Sequence, residues 1–167
     1  MAATYEPIAT YTVSDGTTTT ITFSSIPQTY TDLKIVGNTM IYALNYYINN
    51  DNAGSHYDTE WFASSGATVV ASRDLGGNIV YCYYFAPLQG STNPAVSISE
   101  ILNYTDTSNY KTILSSGGSN APGVGGSAGL TCTVWKSTAA INRLDIKTAT
   151  TYYTVGSTVT LFGIKAA

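Results

Sequence analysis

Charged residues are scarce in this sequence. Lys, Arg, Asp and Glu make up 10% of its 167 residues, and the formal net charge is −3, whereas about 25% of an average globular protein is charged. The seven basic residues are scattered singly, so they form no stripe that could neutralise phosphates. This composition argues against nucleic acid as a direct partner.

Cysteine is almost absent as well. Cys82 and Cys132 are the two cysteines, and each lies in an apolar run that is typical of a strand. A chain of this length can bury about two-thirds of its unfolded surface in one core, so its stability requires neither a disulfide nor a metal. We therefore predict that both cysteines are buried free thiols.

Long hydrophobic runs are missing too. No apolar stretch approaches the roughly 20 residues of a membrane-spanning helix, and residues 1–7 lack the basic and apolar segments of a signal peptide. We expect a soluble product that is made in a cytoplasm and has no membrane partner.

The sequence also lacks helical periodicity over any run of ten or more residues. Short runs rich in Thr, Tyr, Ile and Val alternate with turn residues about every ten positions. This pattern predicts an all-β fold, namely a single antiparallel β-sandwich, jelly-roll-like, with about ten short strands and no substantial helix. One domain is expected to span residues 1–167, with a glycine-rich loop at 116–129.

Three local patterns refine this prediction. Asp15 and Gly16 suit a tight hairpin turn between the first two strands. Residues 21–36 read as a strand, a corner and a strand, because Pro27 cannot donate a ladder hydrogen bond. Residues 79–85 are apolar without polar alternation, which predicts a strand at the centre of a sheet.

The sequence contains no group of residues whose types and spacing match a known kind of active site. His56 is the only histidine, and we predict that it ends a loop without a catalytic role, because a single histidine carries no spacing signal. Asn49, Asp51, Gly54 and Glu60 fit positions of a calcium-binding loop, but an EF-hand needs flanking helices where this sequence predicts strands. We therefore predict no enzyme activity, no metal and no cofactor.

Tyrosine is abundant, with 14 copies. Its ring serves in subunit interfaces and in sugar stacking, and the interface is the favoured interpretation here. Strands such as 17–23 and 130–135 carry few of the charges that protect sheet edges, which predicts a homo-oligomer, with a trimer favoured. The candidate partner-contact residues are Tyr42, Tyr46, Tyr47, Asn50, Asp51, Trp61, Gly117, Gly118, Pro122, Gly125 and Gly126.

Three segments are similar to small β-rich virion proteins of tailed bacteriophages, notably phages of aquatic bacteria. They are residues 21–38 (ITFSSIPQTYTDLKIVGN), 98–118 (ISEILNYTDTSNYKTILSSGG) and 157–167 (STVTLFGIKAA). In that family a phrase like ITFSSIP precedes a strand, and the chain ends in a strand like that of residues 161–165. The resemblance spans nearly the whole chain, but none of its motifs is chemical.

The resemblance implies a virion structural protein that is made in the host cytoplasm. The most specific expectation is a head decoration or cement protein that oligomerises and binds the outer surface of the capsid. Its partners would be the major capsid protein or other virion proteins. The alternative is a tail or fibre module that recognises host surface glycans. Residues 81–85 and 116–129 depart from the family pattern, so they are candidates for a contact surface of this chain's own.

The cysteine prediction can be tested by thiol titration. We expect Ellman's reagent to react with two thiols per denatured chain, with or without prior reduction, because two cysteines are present and neither is paired. A reaction confined to the reduced sample would reveal a disulfide.

Overall fold

The computed structural model describes residues 4–39, 44–65, 67–81, 94–121, 125–148 and 152–165. Within these ranges the chain forms twelve strands and no helix, so the all-β prediction is confirmed. The described residues therefore include no helix that could cross a membrane. The strands are β1 Thr4–Thr12, β2 Thr20–Ser24, β3 Asp32–Thr39, β4 Leu44–Ile48, β5 Tyr57–Ser65, β6 Thr68–Gly77, β7 Val80–Tyr81, β8 Ala95–Ile101, β9 Lys111–Ala121, β10 Gly125–Trp135, β11 Arg143–Thr148 and β12 Thr158–Lys165. Tyr42, Cys82 and Pro122 lie outside the described residues.

The strands form two antiparallel sheets of unequal size. The large sheet has eight strands in the order β1-β12-β3-β8-β9-β10-β5-β6, and the small sheet has four in the order β2-β11-β4-β7. This arrangement is consistent with the predicted β-sandwich, whereas the jelly-roll topology is not confirmed.

One apolar core lies between the two sheets. Leu33, Ile35 and Leu161 of the large sheet belong to the same buried cluster as Ile21 and Ile146 of the small sheet. Side chains two positions apart on a strand share a face, so the alternation on β2 and β3 directs these residues inward.

The corner predicted within residues 21–36 joins the two sheets. β2 ends in the small sheet and β3 begins in the large sheet, so the strand, corner and strand are confirmed. The Tyr104 hydroxyl donates a hydrogen bond to the Pro27 carbonyl, and the Gln28 side-chain amide donates to the Ile141 carbonyl at 2.9 Å. These bonds fix the corner to two distant segments of the chain.

The hairpin predicted at Asp15 and Gly16 is wrong. β1 pairs with β12 and β2 pairs with β11, so the first two strands belong to different sheets. Asp15 Oδ1 instead accepts hydrogen bonds from the backbone N–H groups of Thr17 and Thr18, both at 2.8 Å. The carboxylate therefore folds the connection locally, as Asp side chains do in turns, without the left-handed glycine of a tight hairpin.

The glycine-rich stretch at 116–129 was predicted as a loop, but it is paired strand wherever the structure describes it. Its described residues form parts of β9 and β10, which pair from Lys111 opposite Trp135 to Ala121 opposite Gly125. A Cβ atom on Gly118 would lie 2.5 Å from the Ser127 carbonyl oxygen. Glycine is needed there because the neighbouring backbone approaches closely, not because the chain has to be flexible.

One prediction of an edge strand is also wrong. Residues 130–135 are not an edge, because β10 lies between β9 and β5, whereas β2 does lie at an edge of the small sheet. Of the strand predicted at 79–85, Val80 and Tyr81 form β7, which among the described strands pairs with β4, and residues 82–85 lie outside the described residues.

Cys132 is a free thiol, but it is exposed, so the prediction of its burial is wrong. It alternates on β10 with the buried side chains of Thr131 and Thr133, and neighbouring residues on a strand point to opposite faces. The hydroxyl residues therefore occupy the core side, and the thiol points outward.

Gly163 of β12 lies beneath the ring of Tyr30. A Cβ atom at Gly163 would come within 2.3 Å of the Tyr30 ring, and the Tyr30 hydroxyl donates to Glu6 Oε2 at 3.1 Å. We expect Gly163→Ala to lower the free energy of unfolding by about 1–3 kcal/mol, measured by urea denaturation, because the ring must be displaced.

Gly16→Ala is the matched control. A Cβ atom at Gly16 meets no atom within 4 Å, so this variant should retain the wild-type stability. Equal stability of the two variants would contradict the packing assigned to Gly163.

Candidate functional site

The strand pairings of the large sheet define rows of side chains on the face opposite the core. Residues directly opposite each other in an antiparallel ladder share a face. One such row contains Val36, Ile98, Ser116, Leu130 and Phe62 on five neighbouring strands. Four of these five side chains are apolar, although the row lies on the outside of the sandwich.

The next row combines apolar and charged side chains. It contains Phe162, Lys34, Glu100, Leu114 and Cys132 on β12, β3, β8, β9 and β10, and it continues through Glu60 of β5 and Arg73 of β6. We call this surface the outer apolar face. Its apolar members are Val36, Phe62, Val69, Val96, Ile98, Leu114, Leu130, Val134, Phe162 and Ile164.

Several of these side chains are strongly exposed. The exposed fraction is 74% for Val69, 54% for Phe62 and 44% for Leu114. Single exposed apolar residues are ordinary, but a contiguous apolar surface marks an interaction site. The outer apolar face extends across neighbouring strands and is therefore the leading candidate for function.

Two ion pairs lie on or beside this face. Lys34 Nζ lies 2.9 Å from Glu100 Oε1 and 5.2 Å from the centroid of the Tyr5 ring. Near one end of the face, Lys136 Nζ lies 2.9 Å from Asp58 Oδ1, and the hydrogen bond from Lys136 holds the pKa of Asp58 below its ordinary value. A partner could cover the face without leaving these charges unpaired.

A groove of about 610 Å³ indents the face at its β10-β5-β6 end. It is lined by Glu60, Trp61, Phe62, Ala71, Ser72, Arg73, Leu130 and Cys132. Glu60 lies opposite Arg73 in the ladder, so opposite charges flank the groove. An apolar or aromatic group of a partner would fit between them.

The tyrosines predicted as partner contacts have other positions. Tyr46 is only 1% exposed, and its hydroxyl lies 3.0 Å from Ser99 Oγ, so the prediction that it contacts a partner is wrong. Tyr47 is half-buried, with Lys147 Nζ 4.5 Å from its ring centroid. Asn50 is exposed in a turn with φ of 58°, a conformation that asparagine tolerates.

The predicted glycine contacts belong to the paired strands of the large sheet. Gly117 and Gly118 lie in β9, and Gly125 and Gly126 begin β10. Among the predicted residues, Trp61 lines the groove. The structure thus brings few of the predicted contacts together, and the outer apolar face was missed.

β8 explains why the outer apolar face was missed. Val96 is 48% exposed and Ile98 is half-buried, whereas Ser97 and Ser99 are buried on the core side. Ser99 Oγ lies 2.8 Å from Ser115 Oγ, so hydroxyl pairing satisfies the buried polar groups. The alternation of apolar and polar residues in β8 predicts that Val96 and Ile98 face the core. Nothing in the sequence of β8 indicates that the serines face the core instead.

Asp51 anchors the connection between β4 and β5. Its Oδ2 lies 2.7 Å from His56 Nδ1 and accepts a hydrogen bond from Trp135 Nε1 at 2.8 Å. Its backbone carbonyl accepts a bond from the Tyr57 hydroxyl at 2.9 Å. Burial opposes ionisation of Asp51, but the bonds from Trp135 and His56 outweigh it and lower the pKa of Asp51.

Asn49 and Asp51, two of the residues that fit a calcium-loop spacing, are bonded to the protein itself. Asn49 Oδ1 accepts hydrogen bonds from the backbone N–H groups of Asn142 and Arg143 at 3.0 and 3.1 Å. Strands β4 and β5 flank this connection. In the described part of the chain, no three His, Cys, Asp or Glu side chains form a group that could hold a metal.

A scan against models of protein families finds no match, and neither does a comparison with curated proteins. Function must therefore be inferred from surfaces of the molecule. The outer apolar face combines extent, exposure and internally paired charge, whereas Asp51 and His56 serve to hold a connection in place.

Removing the Asp51 carboxylate should destabilise the fold in a pH-dependent way. Asp51→Ala leaves the buried Trp135 N–H without its acceptor, so we expect a loss of about 1–3 kcal/mol in unfolding free energy at pH 7. Because the folded-state pKa of Asp51 is lowered, its contribution is present above the ordinary value near about 3.9. It is lost as the pH falls through the lower folded-state value.

Urea unfolding of both proteins at pH 7 and below pH 3 measures this effect. The difference between wild type and variant should shrink at the lower pH. Asp74→Ala, which also removes one carboxylate, is the control and should change stability little at either pH. A pH-independent loss in Asp51→Ala would refute the ionic role of Asp51.

Proposed function

We propose that this protein is a structural component of a tailed-phage virion, and specifically a head decoration protein that oligomerises and binds the outer surface of the capsid. The observation that supports an assembly role is the outer apolar face. Proteins whose role is to assemble carry apolar surface that is exposed in the isolated chain and buried in the assembly. The resemblance of three segments to phage virion proteins supports the choice of particle.

The proposed partners are other copies of the chain and the major capsid protein or another virion protein. The paired charges of the outer apolar face suit a partner that is itself neutral at the contact. The low charge of the whole chain is unsuited to direct binding of nucleic acid. The proposed location is the assembled virion, after synthesis in the host cytoplasm, and the proposal assigns no catalytic reaction to the protein.

The groove favours a second candidate function. The Phe62 ring lies beside Glu60 and Arg73 in its lining, whereas the side chain of Trp61, opposite the buried Thr131, points to the other face of the sheet. Aromatic surface with adjacent hydrogen-bonding groups is the chemistry that binds a sugar ring. A tail or fibre module that recognises host surface glycans is therefore the alternative.

Labelling of intact particles tests the proposed function. We expect gold-labelled antibodies against this chain to decorate the heads of purified virions in many copies. Particles from a mutant that lacks the gene are the control for specificity. These particles should also release their DNA at a lower temperature, because a decoration protein that binds an assembled shell stabilises it.

Other results would point elsewhere. A chain found only in the soluble fraction of the lysate would refute a virion role. Label at the tail tip, together with a glycan-array signal that is lost in Phe62→Ala, would support the receptor-binding alternative.

A further inference from the structure

We infer that the outer apolar face binds the same face of a second copy of this chain, so that two large sheets pack face to face about a two-fold axis. This inference rests on the proposed assembly function and specifies which surface performs it. Three properties of the face favour a second copy as the occupant.

The first property is area. Neighbouring strands lie about 4.8 Å apart and same-face residues on a strand about 7 Å apart. The apolar members of the face lie on seven strands, which span roughly 29 Å, and four rows of side chains span roughly 20 Å, so the surface is on the order of 600 Å². A stable dimer buries about 600–1,000 Å² on each partner. The area of the face is therefore at the lower end of the range for a stable dimer.

The second property is shape. A β-sheet has a right-handed twist, and two sheets pack well when their twists match, with the strands about 30° apart. A second copy provides an eight-stranded antiparallel sheet with an identical twist. Leu114 and Ile98 near the middle of the face would then interdigitate with the same residues of the partner, as in the core of a sandwich.

The third property is charge. In a two-fold contact the same patch meets itself, so a patch of one sign would repel its copy. The charges of its central row are Lys34 and Glu100, which pair with each other at 2.9 Å, and Glu60 and Arg73, which lie opposite each other in the ladder. Because these charges sum to zero within one chain, two such faces can meet without net repulsion.

Sedimentation equilibrium over a micromolar concentration series tests the inference. We expect wild type to sediment as a dimer and the double variant Phe62→Lys, Leu114→Lys to sediment as a monomer. The dissociation constant of the dimer should rise roughly 100-fold or more in this variant. Two unpaired charges per face would oppose burial. Both side chains are about half exposed in the single chain, so the substitutions should leave its fold intact.

The double variant Tyr152→Lys, Val155→Lys is the matched control. It adds the same charge at two exposed positions, 56% and 53% accessible, that lie outside the large sheet, and it should remain a dimer. If the lysine variant of the face fails to fold, Phe62→Thr, Leu114→Thr replaces it, because threonine retains the strand preference and removes apolar area.

The exposed thiol of Cys132 gives a second readout, because it lies in the same row as Leu114. We expect its reaction with Ellman's reagent to slow at protein concentrations at which the dimer forms, with Cys132→Ser providing the baseline. A rate independent of concentration in a protein that sediments as a dimer would overturn the inference.

The outcomes separate this inference from the proposed function. A trimer or another oligomer whose mass is unchanged in the face variants would overturn the inference and leave the assembly role standing. A monomeric wild type would also overturn it. If that monomer binds purified capsids and the face variants do not, the face docks on a capsid protein. If neither protein binds, the proposed function fails as well.

Discussion

The backbone hydrogen-bond ladder that joins eight strands in the large sheet is the interaction on which the rest of the structure depends. It aligns the strands so that each residue has a fixed neighbour on either side, and it thereby decides which side chains share a face. A shift of one residue in β8 would exchange Ser97 and Ser99 for Val96 and Ile98 in the core. Both the buried core and the outer apolar face follow from this one register.

Much of the fold could be predicted from local sequence patterns. The class, most strand positions and the corner around Pro27 depend on alternation and on the missing N–H of proline, which neighbouring residues reveal. The connection at Asp15 was mispredicted because strand partners are chosen over long sequence separations, as in the pairing of β1 with β12. The glycines of β9 and β10 predicted a flexible loop. Their actual role depends on the close approach of a neighbouring strand, which is a tertiary property that the local sequence does not reveal.

The candidate site was less predictable than the fold. The abundance of tyrosine predicted that Tyr46 contacts a partner, because tyrosine suits an interface and a core equally. Its ring is instead part of the core, and its hydroxyl lies 3.0 Å from Ser99 Oγ. The residues of the outer apolar face are valines, leucines, isoleucines and two phenylalanines, which a sequence pattern assigns to the interior. Their exposure depends on the register between distant strands and on the buried hydroxyls of β8 and β9, neither of which local periodicity encodes.

The pairing of β1 with β12 places Thr4 opposite Lys165, so the first and last described residues leave the large sheet at the same corner. A tensile force applied at these two points would separate the strands one hydrogen bond at a time, because the bonds lie along the direction of pull. Such a ladder resists tension far less than one loaded in shear. Mechanical load on an assembly of these chains is therefore better carried through the faces of the sheets than through the chain ends.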